Sequence, residues 1–352
     1  CEILDCYAHP DADSRMRERL HDLRPALLGI SCTTASFHDG VRLAALAKSE
    51  LPQLRVAFGG PHVSALKAKV LEFSELIDFA VVGEGEQTML ELAQLGADEP
   101  DDVEGIVWRA ADGTLVDNGY RSEALVLDDL PFPAYEKLAG YPDAYKLPIF
   151  NYPKAPNSSC ISSRGCPYRC SYCDRSVFRR TFRYNSADYL YRHLVDLKER
   201  FGIRHINFYD DQFTFHRGRV EEFCRLMIDK PLGMTFNCAV RAEHVDKELL
   251  TLMKAAGCWL VRLGIDSVDE QLLAQHRQNA DLGLLAETIR TIKSCGIRTK
   301  GLLMMGLPGE SEASIRRSME YVYSLPIDDF NLAKFTPFPG SPIYEKIHKL
   351  GR

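Results

Sequence analysis

Short apolar segments alternate with amphipathic segments along almost the whole chain, and this alternation limits the fold more than any other feature. In the first half, the predicted strands are residues 3–6, 26–31, 55–59 and 79–83. Segments with the spacing of amphipathic helices accompany them at 13–21, 38–51, 64–73 and 86–95. This pattern predicts an α/β, doubly wound Rossmann-like domain with a parallel sheet and helices on both faces.

The same alternation resumes in the second half of the chain. Predicted strands lie at 159–163, 205–209, 235–239, 259–265, 299–305 and 329–335. Predicted helices lie at 187–201, 217–228, 246–256, 282–295 and 311–324. Six strand–helix units are too few for a closed eight-stranded barrel, so we expect a partial (β/α)6 TIM-like barrel. Its active site should lie at the carboxyl ends of the strands.

A proline-rich stretch separates the two halves. It follows a short predicted hairpin at 105–119 and contains six prolines between residues 130 and 156, which disfavour strand pairing. We therefore expect a Rossmann-like domain at 1–125, a linker at 126–157 and the barrel at 158–352. The chain begins with a cysteine inside a predicted strand, so we also expect that an upstream segment with the first strand is missing.

Three cysteines occupy one predicted loop. Cys166, Cys170 and Cys173 have the spacing C-x3-C-x2-C, and three soft thiolates suit an iron–sulfur cluster or zinc. A cluster held by three cysteines leaves one iron open, whereas structural zinc is normally closed by four ligands. The alternative is a zinc site with Cys160 as the fourth ligand.

This loop, with the aromatic Tyr172 before its last cysteine, resembles that of the radical S-adenosylmethionine (SAM) enzymes. The resemblance implies that Cys166, Cys170 and Cys173 hold a 4Fe-4S cluster whose open iron binds SAM. One electron, from a donor such as flavodoxin or ferredoxin, would then cleave SAM to a 5′-deoxyadenosyl radical.

The resemblance also implies a set of SAM-binding residues at the strand ends. These are Tyr172, Asp210, Asp211, Arg241, Asp266, Ser267, Met304, Gly306 and Pro337. Carboxylates at 210 and 211 suit the SAM ammonium, although one of them could instead cap a helix. Arg241 suits the SAM carboxylate, with a surface salt bridge as the alternative. Asp266 stands where relatives have a glutamate, one methylene longer.

The first half resembles the cobalamin-binding domain that precedes the barrel in many radical SAM enzymes. The matching positions are Ser31, Thr33, Thr34, Gly59, Gly60, Pro61, His62, Gly83 and Glu84. Hydroxyls and glycine backbone after parallel strands would hold the cofactor, although Gly59-Gly60 could equally form a plain turn. The motif Asp-x-His-x-x-Gly does not occur, but its usual place is in the segment that we expect to be missing. Many relatives bind cobalamin without a protein ligand on cobalt, and the resemblance implies the same here.

The subgroup that the chain resembles contains the anaerobic magnesium-protoporphyrin monomethyl ester cyclase and related cobalamin-dependent enzymes. This implies an enzyme that methylates an unactivated carbon of a small-molecule or lipid-like substrate. Two alternatives remain: radical cyclisation or ring contraction without methyl transfer, and a cobalamin-binding sensor with a structural metal site. Tyr209 and Tyr172 are the candidate catalytic residues.

Composition excludes several partner classes. The chain is 45% hydrophobic and 26% charged, and its net charge of −6 without a basic block gives no reason to expect nucleic acid. We expect no membrane span, because no apolar run reaches the length that crossing a bilayer requires. Eleven cysteines spread through a large chain without a signal peptide predict reduced thiols and a cytoplasmic location.

Overall fold

The computed structural model describes residues 1–9, 11–96, 99–148 and 151–349. Its contacts divide the chain into two compact units. The first unit contains Cys1–Leu125, Ser171–Arg179 and the segment from Pro337 onward; the second contains Val126–Cys170 and Arg180–Thr336. The predicted linker therefore groups with the second unit, and two segments distant in sequence group with the first.

The first unit is built around a five-stranded sheet. Its elements are α1 (Ala12–Leu23), β1 (Leu27–Ser31), α2 (Phe37–Glu50), β2 (Arg55–Gly59), α3 (Pro61–Leu66), α4 (Ala68–Phe73), β3 (Phe79–Val81), α5 (Glu86–Leu95), β4 (Ile106–Arg109) and β5 (Leu115–Asp117). The strand order is β1-β2-β3-β4-β5. The first three strands are parallel, and β4 and β5 form the predicted hairpin, which adds antiparallel to β3.

Helices cover both faces of this sheet, as the sequence predicts. Val56 and Phe58 of β2 pack into a core that includes Met16 of α1, whereas Ala57 between them packs into a second core with Leu92 of α5. Successive side chains of a strand point to opposite faces, so a strand buried on both sides is apolar throughout. The Rossmann-like architecture is therefore confirmed.

One predicted strand is wrong. Residues 3–6 form no strand in the structure, and Ile3 is exposed. The sheet begins at β1, so the segment gains no neighbouring strand, and Leu4 packs against the first core without one.

The second unit contains a longer series of strands and helices. They are β6 (Asn157–Cys160), β7 (Ser163–Arg164), β8 (Arg183–Tyr184), α6 (Ala187–Phe201), β9 (His205–Phe208), α7 (Arg217–Asp229), β10 (Thr235–Val240), α8 (Lys247–Ala255), β11 (Cys258–Asp266), α9 (Glu270–His276), α10 (Leu282–Ser294), β12 (Arg298–Met305), α11 (Glu312–Tyr323) and β13 (Asp329–Lys334). The last helix, α12 (Pro342–Lys349), belongs to the first unit.

Six parallel strands form one sheet in the order β6-β9-β10-β11-β12-β13. Each strand pairs with the next along the chain, apart from the two-stranded β7–β8 ribbon, and helices connect them. The predicted partial (β/α)6 barrel is therefore confirmed. No helix in the described ranges is long and apolar enough to cross a membrane.

Most barrel helices start at a capping side chain. Ser186, Asp246, Asp269, Asp281 and Ser311 each accept a hydrogen bond from a backbone N–H in the first turn of the following helix. Such caps satisfy donors that the helix itself cannot, and they fix where each helix leaves its strand. The loops before the helices, at the carboxyl ends of the strands, are thereby held in place.

Candidate active site

A buried carboxylate holds the start of the cysteine loop. Asp210, two residues after β9, accepts hydrogen bonds from the backbone N–H of Ser162 and of Ser163, both at 2.6 Å, and from Ser162 Oγ at 2.7 Å. Arg219 of α7 donates to Ser162 Oγ at 2.5 Å. Burial raises the pKa of Asp210, against the opposing effect of the Arg219 charge. Both carboxylate oxygens are therefore engaged inside the barrel.

This geometry corrects the expectation that Asp210 contacts SAM, because its oxygens already have backbone partners. Asp211, the next residue, is exposed. It does not cap α7, since His216 accepts the hydrogen bond from Arg219 N that begins that helix. We therefore infer that Asp210 positions the loop, and Asp211, exposed beside it, stays the candidate carboxylate for the SAM ammonium.

The three loop cysteines are all partly exposed. Burial raises the pKa of the Cys166 thiol; nearby Asp211 raises it further, and Arg241 lowers it. Such a thiol keeps its proton until a metal displaces it. Because the charges of Asp211 and Arg241 both act on Cys166, the structure brings these predicted SAM residues close to the start of the cysteine loop.

Cys160, the fourth ligand of the zinc alternative, faces the other way. It is buried in the helix-facing core of the barrel, with its Sγ 3.6 Å from Nδ1 of His193. In the described ranges, no group of three or more His, Cys, Asp or Glu side chains is arranged around a single metal ion. The donor chemistry of the loop, three soft thiols on a short segment, fits an iron–sulfur cluster.

Arg241 follows β10 and is 6% exposed. Its Nε donates to Glu243 Oε1 at 2.6 Å, and its guanidinium carbon lies 3.8 Å from the centroid of the Tyr168 ring. The Tyr168 hydroxyl in turn is 2.7 Å from Nε2 of His244. Burial lowers the pKa of Arg241, but the Glu243 carboxylate outweighs it and the net pKa is raised. Arg241 thus has an ion pair, but a buried one rather than the surface salt bridge of the alternative.

A bulge near the end of β11 redirects Asp266. The register with β12 shifts between Gly264 and Asp266, and Asp266 has a φ of 60°. Arg277 Nη1 donates to Asp266 Oδ2 at 2.8 Å and to the Gly264 carbonyl at 2.6 Å. Ser267 is fully buried, and its hydroxyl accepts from Asp269 N at 3.2 Å. These contacts hold the strand end, so we infer a positioning role for both residues.

The remaining predicted SAM residues fall into two groups. Met304 lies on β12 in register with Ala333, and Gly306 after it has a φ of 94° and donates its N–H to Glu310. Tyr172 and Pro337 lie in segments that group with the first unit. Tyr209, a candidate catalytic residue, is 50% exposed directly after β9.

The predicted cobalamin positions meet at one edge of the first sheet. The loop after β1 contacts the end of β2 and the start of α3: Cys32 N donates to the Gly59 carbonyl at 3.0 Å, and Thr34 Oγ1 is 3.1 Å from His62 Nδ1. The loop after β3 joins them, because Gly83 N donates to Ser64 Oγ at 3.0 Å. The carboxyl ends of three parallel strands thus form one continuous edge, where open α/β sheets bind ligands.

Within this edge, Gly60 is required by geometry. Its φ is 102°, and a side chain there would collide with the Cys32 carbonyl oxygen. His62 packs on Phe37 with ring centroids 4.4 Å apart, and burial lowers its pKa. These contacts favour a supporting role for His62. Ser31 and Thr33 are exposed, and Thr34, Gly83 and Glu84 are partly exposed.

Ser162, Arg219 and Arg262 were missed by the sequence reasoning. One signal was available for Arg262: it interrupts the apolar run of β11, where a charge needs a partner or a ligand. Arg219 lies on an ordinary amphipathic helix, and its burial became visible only from the packing of α7 against the barrel.

Two family models match the chain. Residues 160–322 match the radical SAM superfamily, and residues 1–93 match the B12 binding domain. A protein named as an uncharacterised methyltransferase from Pyrococcus horikoshii is 26% identical over 347 residues, which are 98% of this chain and 74% of that protein. The anaerobic magnesium-protoporphyrin IX monomethyl ester cyclase of Rubrivivax gelatinosus is 26% identical over 98% of this chain, which spans 62% of the cyclase.

A solved structure shares the fold over 99% of this chain and 70% of its own, with a TM-score of 0.82 and 17% identity. It is the radical SAM methyltransferase TsrM from Kitasatospora setae, with a tryptophan substrate and a SAM analogue bound. The region that matches the radical SAM superfamily contains the cysteine loop and the barrel strands up to β12, apart from the first residues of β6. The region that matches the B12 binding domain contains the parallel strands β1–β3. The chain therefore carries a radical SAM domain at residues 160–322, with a B12-binding domain at residues 1–93 ahead of it.

Proposed function

We propose that the chain methylates an unactivated carbon of a small molecule, as a cobalamin-dependent radical SAM enzyme. The observation that carries the proposal is the joining of a B12-binding domain to a radical SAM barrel in one chain. A relative aligned over 98% of the chain and a structural neighbour both bear methyltransferase names. The 4Fe-4S cluster, SAM and cobalamin are the cofactors that these two domains use.

The cofactors bring the difficult chemistry: when bound, the cluster and SAM supply a radical that removes a hydrogen atom, and cobalamin supplies the methyl group. The protein holds and orients them. Cys166, Cys170 and Cys173 would hold the cluster, and Asp211 would accept hydrogen bonds from the SAM ammonium. The hydrogen bonds from Ser162 and Ser163 to Asp210 fix the loop that presents the cysteines.

The glycine and hydroxyl positions after β1, β2 and β3 would hold cobalamin through backbone N–H groups and side-chain oxygens. We further propose that a small acidic electron carrier, a flavodoxin or a ferredoxin, reduces the cluster, and that the chain works in the cytoplasm.

A second candidate function keeps both cofactors but ends in cyclisation. The cyclase relative supports it, and product mass separates the two, since only methylation adds one CH₂ to the substrate.

The test is anaerobic reconstitution with iron, sulfide and cobalamin, followed by reduction in the presence of SAM that carries a deuterated methyl group. We expect 5′-deoxyadenosine to form and the deuterated methyl group to be recovered on cobalamin. Cys170→Ala should abolish 5′-deoxyadenosine formation. Cys295→Ala, which removes another partly exposed thiol outside the loop, is the matched control and should not. Formation of 5′-deoxyadenosine without label on cobalamin would instead favour the cyclisation function.

A further inference from the structure

The inner face of the barrel sheet is polar, and part of its hydrogen-bonding capacity is unused. Phe236 and Cys238 of β10 pack in the helix-facing core, so Asn237 between them points to the inner face. The same alternation between Ile206 and Phe208 places Asn207 of β9 on that face, in register with Asn237.

Both asparagines are buried, Asn207 at 0% and Asn237 at 1% exposure. Neither amide atom of Asn207 has a hydrogen-bond partner in the described structure, and Oδ1 of Asn237 has none either. Buried side-chain amides are normally paired, because leaving them unpaired costs free energy. The described residues thus leave the Asn207 amide nitrogen and the amide oxygens of both asparagines unused.

Arg262 of β11 lies one layer nearer the carboxyl ends of the strands. It is in register with Ala239 of β10, two residues beyond Asn237. Its Nη2 donates to the carbonyl of Phe208 at the end of β9, and its guanidinium carbon lies 5.0 Å from the centroid of the Tyr209 ring. The side chain thus reaches across the small Ala239 to the end of β9, one residue beyond Asn207.

This cation has no acidic partner in the described ranges. Two cations on the adjacent strands do have acidic partners: Lys300 of β12 pairs with Asp329 at 2.8 Å, and Arg241 after β10 pairs with Glu243 at 2.6 Å. Nε of Arg262 is buried and donates to nothing within the described residues. A partly buried guanidinium without a counterion is unfavourable unless a ligand supplies one. Its planar edge matches a carboxylate, which can accept two parallel N–H bonds.

We propose that Arg262, with Asn207 and Asn237 below it, binds a carboxylate of the substrate inside the barrel. The inference rests on the proposed function, because it makes this face the substrate site. The proposed site also distinguishes the two substrate classes that the sequence allowed. A small polar acid can pair with the guanidinium and hydrogen-bond the amides, whereas a hydrocarbon lipid cannot.

The test measures binding to the reconstituted protein with SAM present, by calorimetry. The probes are acetate, benzoate and indole-3-carboxylate, each compared with its uncharged primary amide. We expect at least one carboxylate to bind tenfold or more tightly than its amide, and Arg262→Gln to reduce this preference below twofold. Arg262→Lys keeps the charge without the planar fork, and an intermediate preference is expected even if the glutamine variant fails to fold.

Arg298→Gln is the matched control. Arg298 is an exposed arginine at the other end of β12, stacked on Trp259, and its loss should leave the preference unchanged. The proposal is overturned if no carboxylate is preferred over its amide. It is also overturned if Arg262→Gln weakens SAM binding tenfold or more, because the guanidinium would then serve the SAM carboxylate. Neither readout needs methyl transfer, so failure of the proposed function would appear separately, as absent 5′-deoxyadenosine.

Discussion

At the scale of single residues, neighbouring carboxylates take different roles because their surroundings differ. Asp210 is buried and accepts three hydrogen bonds from Ser162 and Ser163, whereas Asp211 is exposed. The sequence placed both at the end of a strand but could not tell them apart, because the partners of Asp210 are 47 and 48 residues away along the chain.

Removing the buried Asp210 carboxylate should lower both the stability of the protein and the amount of cluster that it binds. Asp210→Ala leaves two backbone N–H groups without their acceptor and removes the carboxylate charge that offsets the buried Arg219, and we expect a loss of about 3–5 kcal/mol in the free energy of unfolding. Asp211→Ala is the matched control: its exposed carboxylate should contribute less to stability than that of Asp210, and its loss should weaken SAM binding. Chemical denaturation and iron content check both, and equal effects of the two variants would contradict the assignment.

A buried histidine should make the protein sensitive to acid. Burial lowers the pKa of His193 to about 4, where it stacks on Phe132 with ring centroids 4.9 Å apart. The unfolded chain binds a proton near pH 6.5 and the folded chain does not, so stability is lost as the pH falls from about 6.5 to about 4.

We expect His193 to account for about 3 kcal/mol of this loss. In His193→Phe the slope of unfolding free energy against pH should be smaller over the same range. His21→Gln, which removes an exposed histidine, should leave the slope unchanged. A slope unaltered by His193→Phe would show that its proton affinity is the same in both states.

At the scale of elements, regular segments could be predicted and irregular ones could not. The predicted strand at 55–59 and helix at 187–201 match β2 and α6, because alternation and helical spacing are local properties. The seven-residue α9 and the two-residue β7 and β8 were missed, since segments so short carry no period. The bulge in β11 and the reach of Arg262 depend on neighbours distant in the chain.

The turn at Gly60, directly after β2, should not tolerate the methyl group of an alanine side chain. Gly60→Ala combines a positive φ with a collision against Cys32, and we expect a loss of at least about 2 kcal/mol in stability and tenfold weaker cobalamin binding. Gly113→Ala, in the hairpin turn, has a φ of 87° and open space around it, so only the backbone strain of about 1 kcal/mol remains. Cobalamin titration separates them, and equal cobalamin affinity in both would contradict a binding role for the turn.

At the scale of the whole molecule, one chain contains two α/β units, each with a candidate cofactor-binding edge. In each unit the candidate residues gather at the carboxyl ends of parallel strands, which the alternation of strands and helices predicts. The grouping of Ser171–Arg179 and the segment from Pro337 with the first unit was not predictable, because it depends on tertiary contacts rather than on local pattern.

The central claim is that Cys166, Cys170 and Cys173 anchor a cluster with one iron left open to SAM. The most direct measurement is the Mössbauer spectrum of the chain reconstituted with ⁵⁷Fe and sulfide, recorded with and without SAM. The account predicts that SAM changes the signal of one iron of the cluster and leaves the others as they were. A spectrum in which SAM changes no iron site, or a chain that retains a single metal ion and no sulfide, would contradict it.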